Sequence, residues 1–479
     1  MPLSDMEARN IFQNLSPIDH RYSVAEQAVF QSLVPWLSEE ASVDSCVKAE
    51  IALIIAHLTI RGKMTNALRA ELEKCTVDPA EIYAEEEKTS HNIKALVNVL
   101  KQKLPQNLAH FVHLGATSVD ILDTSLSLRI KGVTREVILP SLRKLELLLC
   151  ALAEREADTP QVGRTHGQHA VPITLGFAIS EYVARLGKSI LEIENRVKDL
   201  KGKLSGAAGA YNATSMIVKD PRELEHIYLD ELNLEPSEYS TQLVEPEYLL
   251  RLLLEFNIAF GIIANLADDL RNLQRSEIGE VREGFSADQV GSSTMPQKRN
   301  PWNCEHVKSL WKTFMPRVQT FFMDQISEHQ RDLTNSASQR FISDYITGFC
   351  FAVSRMTKVI KELGIVKKKL LSNLQSGNLY GGIMAEPAYI LLAEAGIPDA
   401  HEIVRKITLT AERENMSFTV ALSREPQVLV HISDKLKELG LIDSPDEAIF
   451  FFENPQKYSG LSAQKARALA EKYKILMGG

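Results

Sequence analysis

Between Leu249 and Ile263 the chain carries apolar side chains on more than one face of any helix it could form. Leu249, Leu250, Leu252, Leu253, Leu254, Phe256, Ile258, Phe260, Ile262 and Ile263 leave little polar surface to turn toward water. A helix apolar nearly all round has to be covered on several sides, inside a thick bundle or at a subunit interface. The longest uncharged apolar stretch near the middle of the chain, Phe256 to Ala267, falls short of the ~20 residues a membrane span requires. It is also interrupted by Asn257 and Asn265. The expectation is a buried bundle helix.

Other long helical windows surround it, at Thr124 to Glu154, Leu175 to Leu204 and Glu245 to Arg275. Val183, Leu186, Ile190, Ile193, Val197 and Leu200 recur at the three- and four-residue steps that place side chains on one helix face. The N-terminal region reads as shorter helices, with Ile51, Leu53, Ile54, Ile55 and Leu58 in helical rhythm before a break at Gly62. Beyond Val366 the helices shorten again, punctuated by Pro398, Pro426, Pro445 and Pro455. Alternating β-branched residues are scarce and no convincing hairpin signal is present. The fold class expected is all-α, in three helical domains at 1–110, 111–365 and 366–479, the middle one a bundle of long helices.

A net charge of −8 argues against a general nucleic-acid binder, which would carry a basic face, but leaves room for a cationic pocket. Five widely spaced cysteines without a CxxC pair point to free thiols in a reducing compartment. The opening MPLSDMEARNIF has acids where a signal peptide would be basic, so a cytoplasmic location is expected.

Chemistry concentrates in a few stretches. Gly291 to Pro301, reading GSSTMPQKRNP, offers mobile backbone, the hydroxyls of Ser292, Ser293 and Thr294, and the cations Lys298 and Arg299. Asn300 then Pro301 reads as a helix start, an N-cap acceptor followed by proline at the first helical position. Helix N-termini attract anions through unpaired amides and the macrodipole, so the loop reads as anion-handling. Composition alone favours a solvated connector. In GRTHGQ, His166 stands between Thr165 and Gly167. The HxxH spacing to His169 lacks a third ligand of the usual kind, so no metal is expected. GATSVD places Thr117 and Ser118 at a helix start, where they could simply cap. QRDLTNSASQR brings Arg331, Ser336 and Arg340 close in sequence. Two guanidiniums and a hydroxyl can clamp a phosphate by charge-assisted bonds, although a solvated turn has the same composition.

The loop resembles the GSSxMPxKxNP signature of the fumarase/aspartase superfamily, with Glu305 at the glutamate position that follows it. GRTHGQ and the TS pair are similar to the superfamily's other signatures. SPIDHRY, the Gln242 segment STQLVEP and the Arg331 to Arg340 run resemble its adenylosuccinate lyase family. The resemblance implies an elimination that releases fumarate from adenylosuccinate, and from the related purine precursor SAICAR, with no cofactor. Ser292 would be the base and His166 the acid. Glu305 would support the imidazole, and Lys298 and Asn300 would hold the carboxylate that gains charge. Thr117 and Ser118 would bind a carboxylate, Arg331, Ser336 and Arg340 a phosphate, and Arg21, Tyr22 and Gln242 the nucleotide substrate. Ser90, His91 and Asn92, in TSHNIK, match a further substrate stretch, except that Asn92 stands where the family has aspartate. An amide can accept a hydrogen bond there but brings neither charge nor basicity. The resemblance also implies a homotetramer whose sites are each built from three chains.

Rival readings remain. An argininosuccinate lyase or carboxymuconate cycloisomerase type would not need the phosphate clamp. A non-catalytic structural relative would have no reason to keep Ser292, His166, Lys298 and Glu305 together. A nucleotide-binding regulatory module would not need the Ser292 loop.

Overall fold

The computed structural model describes residues 11–285 and 294–478, and they are overwhelmingly helical. The principal helices are α1 (Glu39–Ile60), α2 (Asn92–Lys103), α3 (Ser118–Val133), α4 (Leu139–Arg155), α5 (Leu175–Arg196), α6 (Pro246–Leu273), α7 (Trp302–Phe314), α8 (Ile342–Glu362), α9 (Lys367–Gly381) and α10 (Ser462–Leu476). The chain forms two compact units. The first comprises Met1–Arg143, Lys188–Ile263 and Ser309–Arg355, and the second Lys144–Gly187, Ala264–Lys308 and Met356–Gly479. The boundaries fall inside α4, α5, α6, α7 and α8.

In the first unit, α1 shows how local and tertiary signals agree. Ser38 accepts the Ala41 N–H at 3.1 Å, and Glu39 and Glu40 lie in the first turn, where the helix dipole favours acids. Its apolar residues from Val43 to Leu58 pack with α2 and with Leu224, Tyr228 and Leu229 in one core. Gly62, at φ +64°, ends the helix in the left-handed conformation that glycine adopts without strain. Between α3 and α4, residues Thr134–Ile138 form a π-helical turn. Pro140 has no N–H to give to residue 136, which explains why the α-helical ladder cannot run through unbroken.

Helix α6 is long and apolar enough to cross a membrane by length and composition. Its apolar residues are nonetheless largely buried in protein, among them Leu252, Leu253, Phe256, Phe260, Ile263, Leu266 and Leu270. Phe256 and Phe260 both meet Phe349 of α8, with ring centroids 5.7 and 5.4 Å apart. One stripe stays open, with Ile258 and Asn265 exposed.

The second unit has a C-terminal core of Leu374, Met384, Leu391, Leu392, Phe418, Leu422, Ile432 and Phe452. It also holds the largest departure from the sequence reading, an antiparallel hairpin of β1 (Pro160–Thr165) and β2 (Gln168–Thr174). The connection is two residues, His166 and Gly167, at φ +54° and +75°, the mirror-image turn that matches strand twist. Opposite Gly163 the register slips, so that Ala170 and Val171 face one residue. A side chain at Gly163 would meet the Val171 carbonyl at 2.8 Å.

Glu146 of α4 is fully buried in this unit, beside Cys150 and close to Tyr473 of α10, and desolvation pushes its pKa up to about 9. Unfolded, the carboxyl ionises near its ordinary 4.5, so across that window the unfolded chain has shed a proton that the folded chain keeps. Stability therefore falls as pH rises from about 4.5 toward 9. Glu146→Gln keeps the shape and cannot ionise. The difference in unfolding free energy between variant and wild type should shift in the variant's favour, by a few kcal/mol, between mildly acidic and mildly alkaline buffer. Denaturant melts at both pH values measure it.

Candidate active site

The approach to Thr117 in the first unit is built by buried polar groups. His113 sits at φ +60°, a strained conformation for a residue with a side chain. Fully buried Glu50 of α1 accepts both its backbone N–H (2.9 Å) and its ring N–H (2.7 Å). Two turns further along α1, buried His57 donates from Nε2 to the Leu114 carbonyl at 2.8 Å and accepts from Arg61 at Nδ1. Burial lowers the pKa of His57 to about 4, which keeps the imidazole neutral and able to do both. The turn leading to α3 is thus fixed from α1.

At the start of α3, Asp120 reaches back to accept the Thr117 N–H at 2.7 Å. Its other oxygen takes the Lys203 ammonium and the N–H groups of Ser205 (3.2 Å) and Gly206 (3.3 Å). Neither Asp120 nor Lys203 is exposed. Beside them a chain of hydrogen bonds forms from three distant stretches. Arg331 Nη1 donates to Gln242 Oε1 at 3.2 Å, and Gln242 Nε2 donates to Thr117 Oγ1 at 3.5 Å. Arg331 fixes which way the Gln242 amide faces. Thr117, Gln242 and Arg331, each singled out in the sequence, are brought together.

Most of the remaining substrate-binding candidates of this unit are exposed, with Tyr22 and Ser118 half-buried. Arg21 is exposed at the end of a short π-helix, and Tyr22 stacks on Phe351 with centroids 5.3 Å apart. Ser90, at φ +50°, closes the helix Pro79–Thr89, and His91 caps α2 by accepting the Lys94 N–H at 3.3 Å. Asn92 Oδ1 accepts the N–H of Ile93 at 2.8 Å, a helix-start role that needs no carboxylate. Ser118 opens α3, and Ser336 and Arg340 are exposed.

The catalytic candidates fall in the second unit. His166 is exposed at the tip of the hairpin. Fully buried Glu280 anchors the base of that hairpin, accepting from Arg164 Nη2 (2.6 Å), Gln161 Nε2 (2.8 Å) and Asn373 Nδ2 of α9 (2.8 Å). Ser292 lies outside the described residues. Lys298 and Glu305 are exposed, and Asn300 is partly buried. The start of α7 differs from the expected Asn300 cap. Pro301 supplies the first carbonyl, accepting the Glu305 N–H at 3.0 Å, and the helix begins at Trp302. The amides expected to draw an outside anion are occupied by Glu283, which accepts from Asn303 N–H (3.2 Å) and Cys304 N–H (2.8 Å). Gln274 ties both flanks of the loop, accepting the Glu283 N–H at 2.8 Å and donating to the Arg299 carbonyl at 3.2 Å. Arg299 also packs over the Phe285 ring.

The supporting groups Glu50, His57, Lys203, Glu280, Glu283 and Gln274, and Asp123 of α3, which accepts the Val244 N–H at 3.0 Å, were not singled out in the sequence. Their partners are remote, and only the three-residue spacing of Asp120 and Asp123 on α3 offered a local signal.

A family model described as lyase matches residues 18–313, and one described as adenylosuccinate lyase C-terminal matches 327–442. The chain is 32% identical to the adenylosuccinate lyase of Pyrococcus horikoshii, over 88% of this chain and 93% of that protein. It is 31% identical to that of Archaeoglobus fulgidus, again over 88% and 93%. The fold is similar to the crystal structure of 3-carboxy-cis,cis-muconate lactonizing enzyme from Pseudomonas putida, at TM-score 0.78 and 23% identity, covering 94% of this chain and 98% of that one. The helical fold and the motif stretches are those of the fumarase/aspartase superfamily of lyases. Within that superfamily, the chain belongs to the adenylosuccinate lyase family.

Replacing Glu283 tests the internal cap. Glu283→Ala should cost about 1 kcal/mol of stability, the usual worth of a lost helix cap. Hydrogen exchange at the Asn303 and Cys304 amides should accelerate ahead of the rest of α7.

Proposed function

We propose that the protein cleaves adenylosuccinate to AMP and fumarate, and SAICAR to AICAR and fumarate, by β-elimination. The observation that carries this reading is the relatedness to adenylosuccinate lyases along nearly the whole chain, joined by the match of residues 327–442 to a model described as adenylosuccinate lyase C-terminal. The Thr117–Gln242–Arg331 chain supports it, because it sets a hydroxyl and a guanidinium together, groups suited to a substrate bearing carboxylates and a phosphate. The muconate-type alternative shares the fold, but the relatedness at this level of identity lies with the nucleotide lyases.

In this reading a base takes the proton from the succinyl carbon next to a carboxylate, and the electrons pass into an aci-carboxylate. The C–N bond then breaks, its electron pair goes to the purine-side nitrogen, and an acid protonates that nitrogen. Ser292 is the base. A serine hydroxyl needs strong assistance to act so, which Lys298 and Asn300 supply by stabilising negative charge nearby. His166 is the acid, and Glu305 supports its imidazole. The turn conformation at φ +54° sets His166 at the end of an anchored hairpin, a rigid mount for proton transfer. Arg331, Ser336 and Arg340 hold the phosphate. Arg21, Tyr22, Ser90, His91, Asn92 and Gln242 contact the nucleotide, and Thr117 and Ser118 the departing carboxylate.

The working form is a homotetramer in the cytoplasm. Two features support this: four of the five cysteines are buried free thiols, and apolar α6 leaves Ile258 exposed on the single chain.

Ser292→Ala and His166→Ala should each abolish fumarate release while adenylosuccinate still binds, and near-normal turnover in either sinks the role assignment. Arg331→Ala should raise KM for adenylosuccinate by at least about tenfold, the loss of one good charge-assisted contact, with little change in melting temperature. Sedimentation of the wild type should give four times the chain mass, and a fully active monomer would contradict the assembly.

A further inference from the structure

The short segment 240–244 carries Gln242 between two residues far away in sequence, and its backbone has to be held for that side chain to reach both. On its N-terminal side the hold is steric. Gly209, at φ +78°, comes so close that a side chain there would lie 1.7 Å from the Ser240 carbonyl oxygen. At its centre the Gln242 N–H donates to the Gln330 carbonyl at 3.1 Å, which also ties the segment to the residue before Arg331. On the side leading to α6, the Val244 N–H donates to Asp123 Oδ2 at 3.0 Å. Asp123 stands on α3 one turn beyond Asp120, so the helix whose start presents Thr117 also grips the segment that presents Gln242.

The carboxylate has an uncomfortable place. Burial pushes its pKa up to about 6, with the Val244 N–H, Lys203 and Arg331 pulling it down and Asp120 pushing it up. An acid beside groups meant for an anionic substrate would weaken binding unless it did something else there. Its hydrogen bond to Val244 supplies that reason.

We propose that Asp123 is a positioning residue for substrate recognition, fixing the backbone of Val244 so that Gln242 spans Thr117 and Arg331. The inference rests on the reading that those three residues contact substrate. What matters is the acceptor oxygen and its reach, since the segment needs a partner for an amide N–H and no negative charge. A side chain of the same shape with a neutral oxygen should therefore serve.

The test uses the full chain and adenylosuccinate. Asp123→Ala should raise KM about tenfold, the effect of losing one buried hydrogen bond, with kcat within about twofold of wild type. Asp123→Asn keeps an oxygen for Val244 and should restore KM to within about threefold of wild type. If Asp123→Ala does not fold, Asp123→Ser, too short to reach Val244, takes its place with the same expected rise. Unchanged KM in the truncated variant overturns the proposal. So does a loss confined to kcat, or an Asn variant as impaired as Ala. A wild type that releases no fumarate overturns the lyase reading itself, whereas an active wild type with an indifferent Asp123→Ala overturns only this assignment.

Discussion

A single buried carboxylate organises the recognition side of this protein. Asp120 takes the Thr117 amide, the Lys203 ammonium and two amides of the loop that follows Lys203. Burying two charges away from water is costly, and mutual attraction offsets it only when the remaining hydrogen-bonding capacity is also used. Here it is used: Lys203 donates additionally to the Gly206 carbonyl at 3.2 Å, and Asp120 has partners on both oxygens. Removing one partner of such a pair leaves an uncompensated charge, typically at about 3–5 kcal/mol. The start of α3 and the 203–206 loop therefore hold one arrangement, against which Thr117 and Gln242 are placed.

The second unit repeats the device with different parts. Glu280 is buried and takes donors from the hairpin and from α9, which holds the strands whose turn carries His166. Glu283, three residues on, takes the first amides of α7. Both acids lie on the chain as it leaves α6 for the segment that contains Ser292. The Thr117–Gln242–Arg331 chain and the proton-transfer candidate His166 thus belong to separate units, each set on a scaffold pinned by a buried carboxylate.

The helices were readable because their signal is local. Apolar periodicity marked α5 and α6, and the prediction of an all-α fold stands. The hairpin was not readable. Gly163, the bulge at Ala170 and Val171, and Pro172 interrupt the alternation that announces strands, and His-Gly is a weaker turn signal than Asn-Gly. The start of α7 lay one residue from its expected place because its capping acid comes from outside the helix, at Glu283. Lys203, within the polar-looking run KGKLSG, would pass for a solvated side chain, and only its tertiary partner explains its burial. The convergence of Thr117, Gln242 and Arg331 has no spacing rule behind it. The sequence pointed to them through resemblance, and the fold supplies the hydrogen bonds.

The most direct measurement is to incubate the purified protein with adenylosuccinate and quantify fumarate and AMP together. The account predicts that the two appear in equal amounts as adenylosuccinate is consumed. Unchanged adenylosuccinate, or AMP formed without matching fumarate, would contradict it.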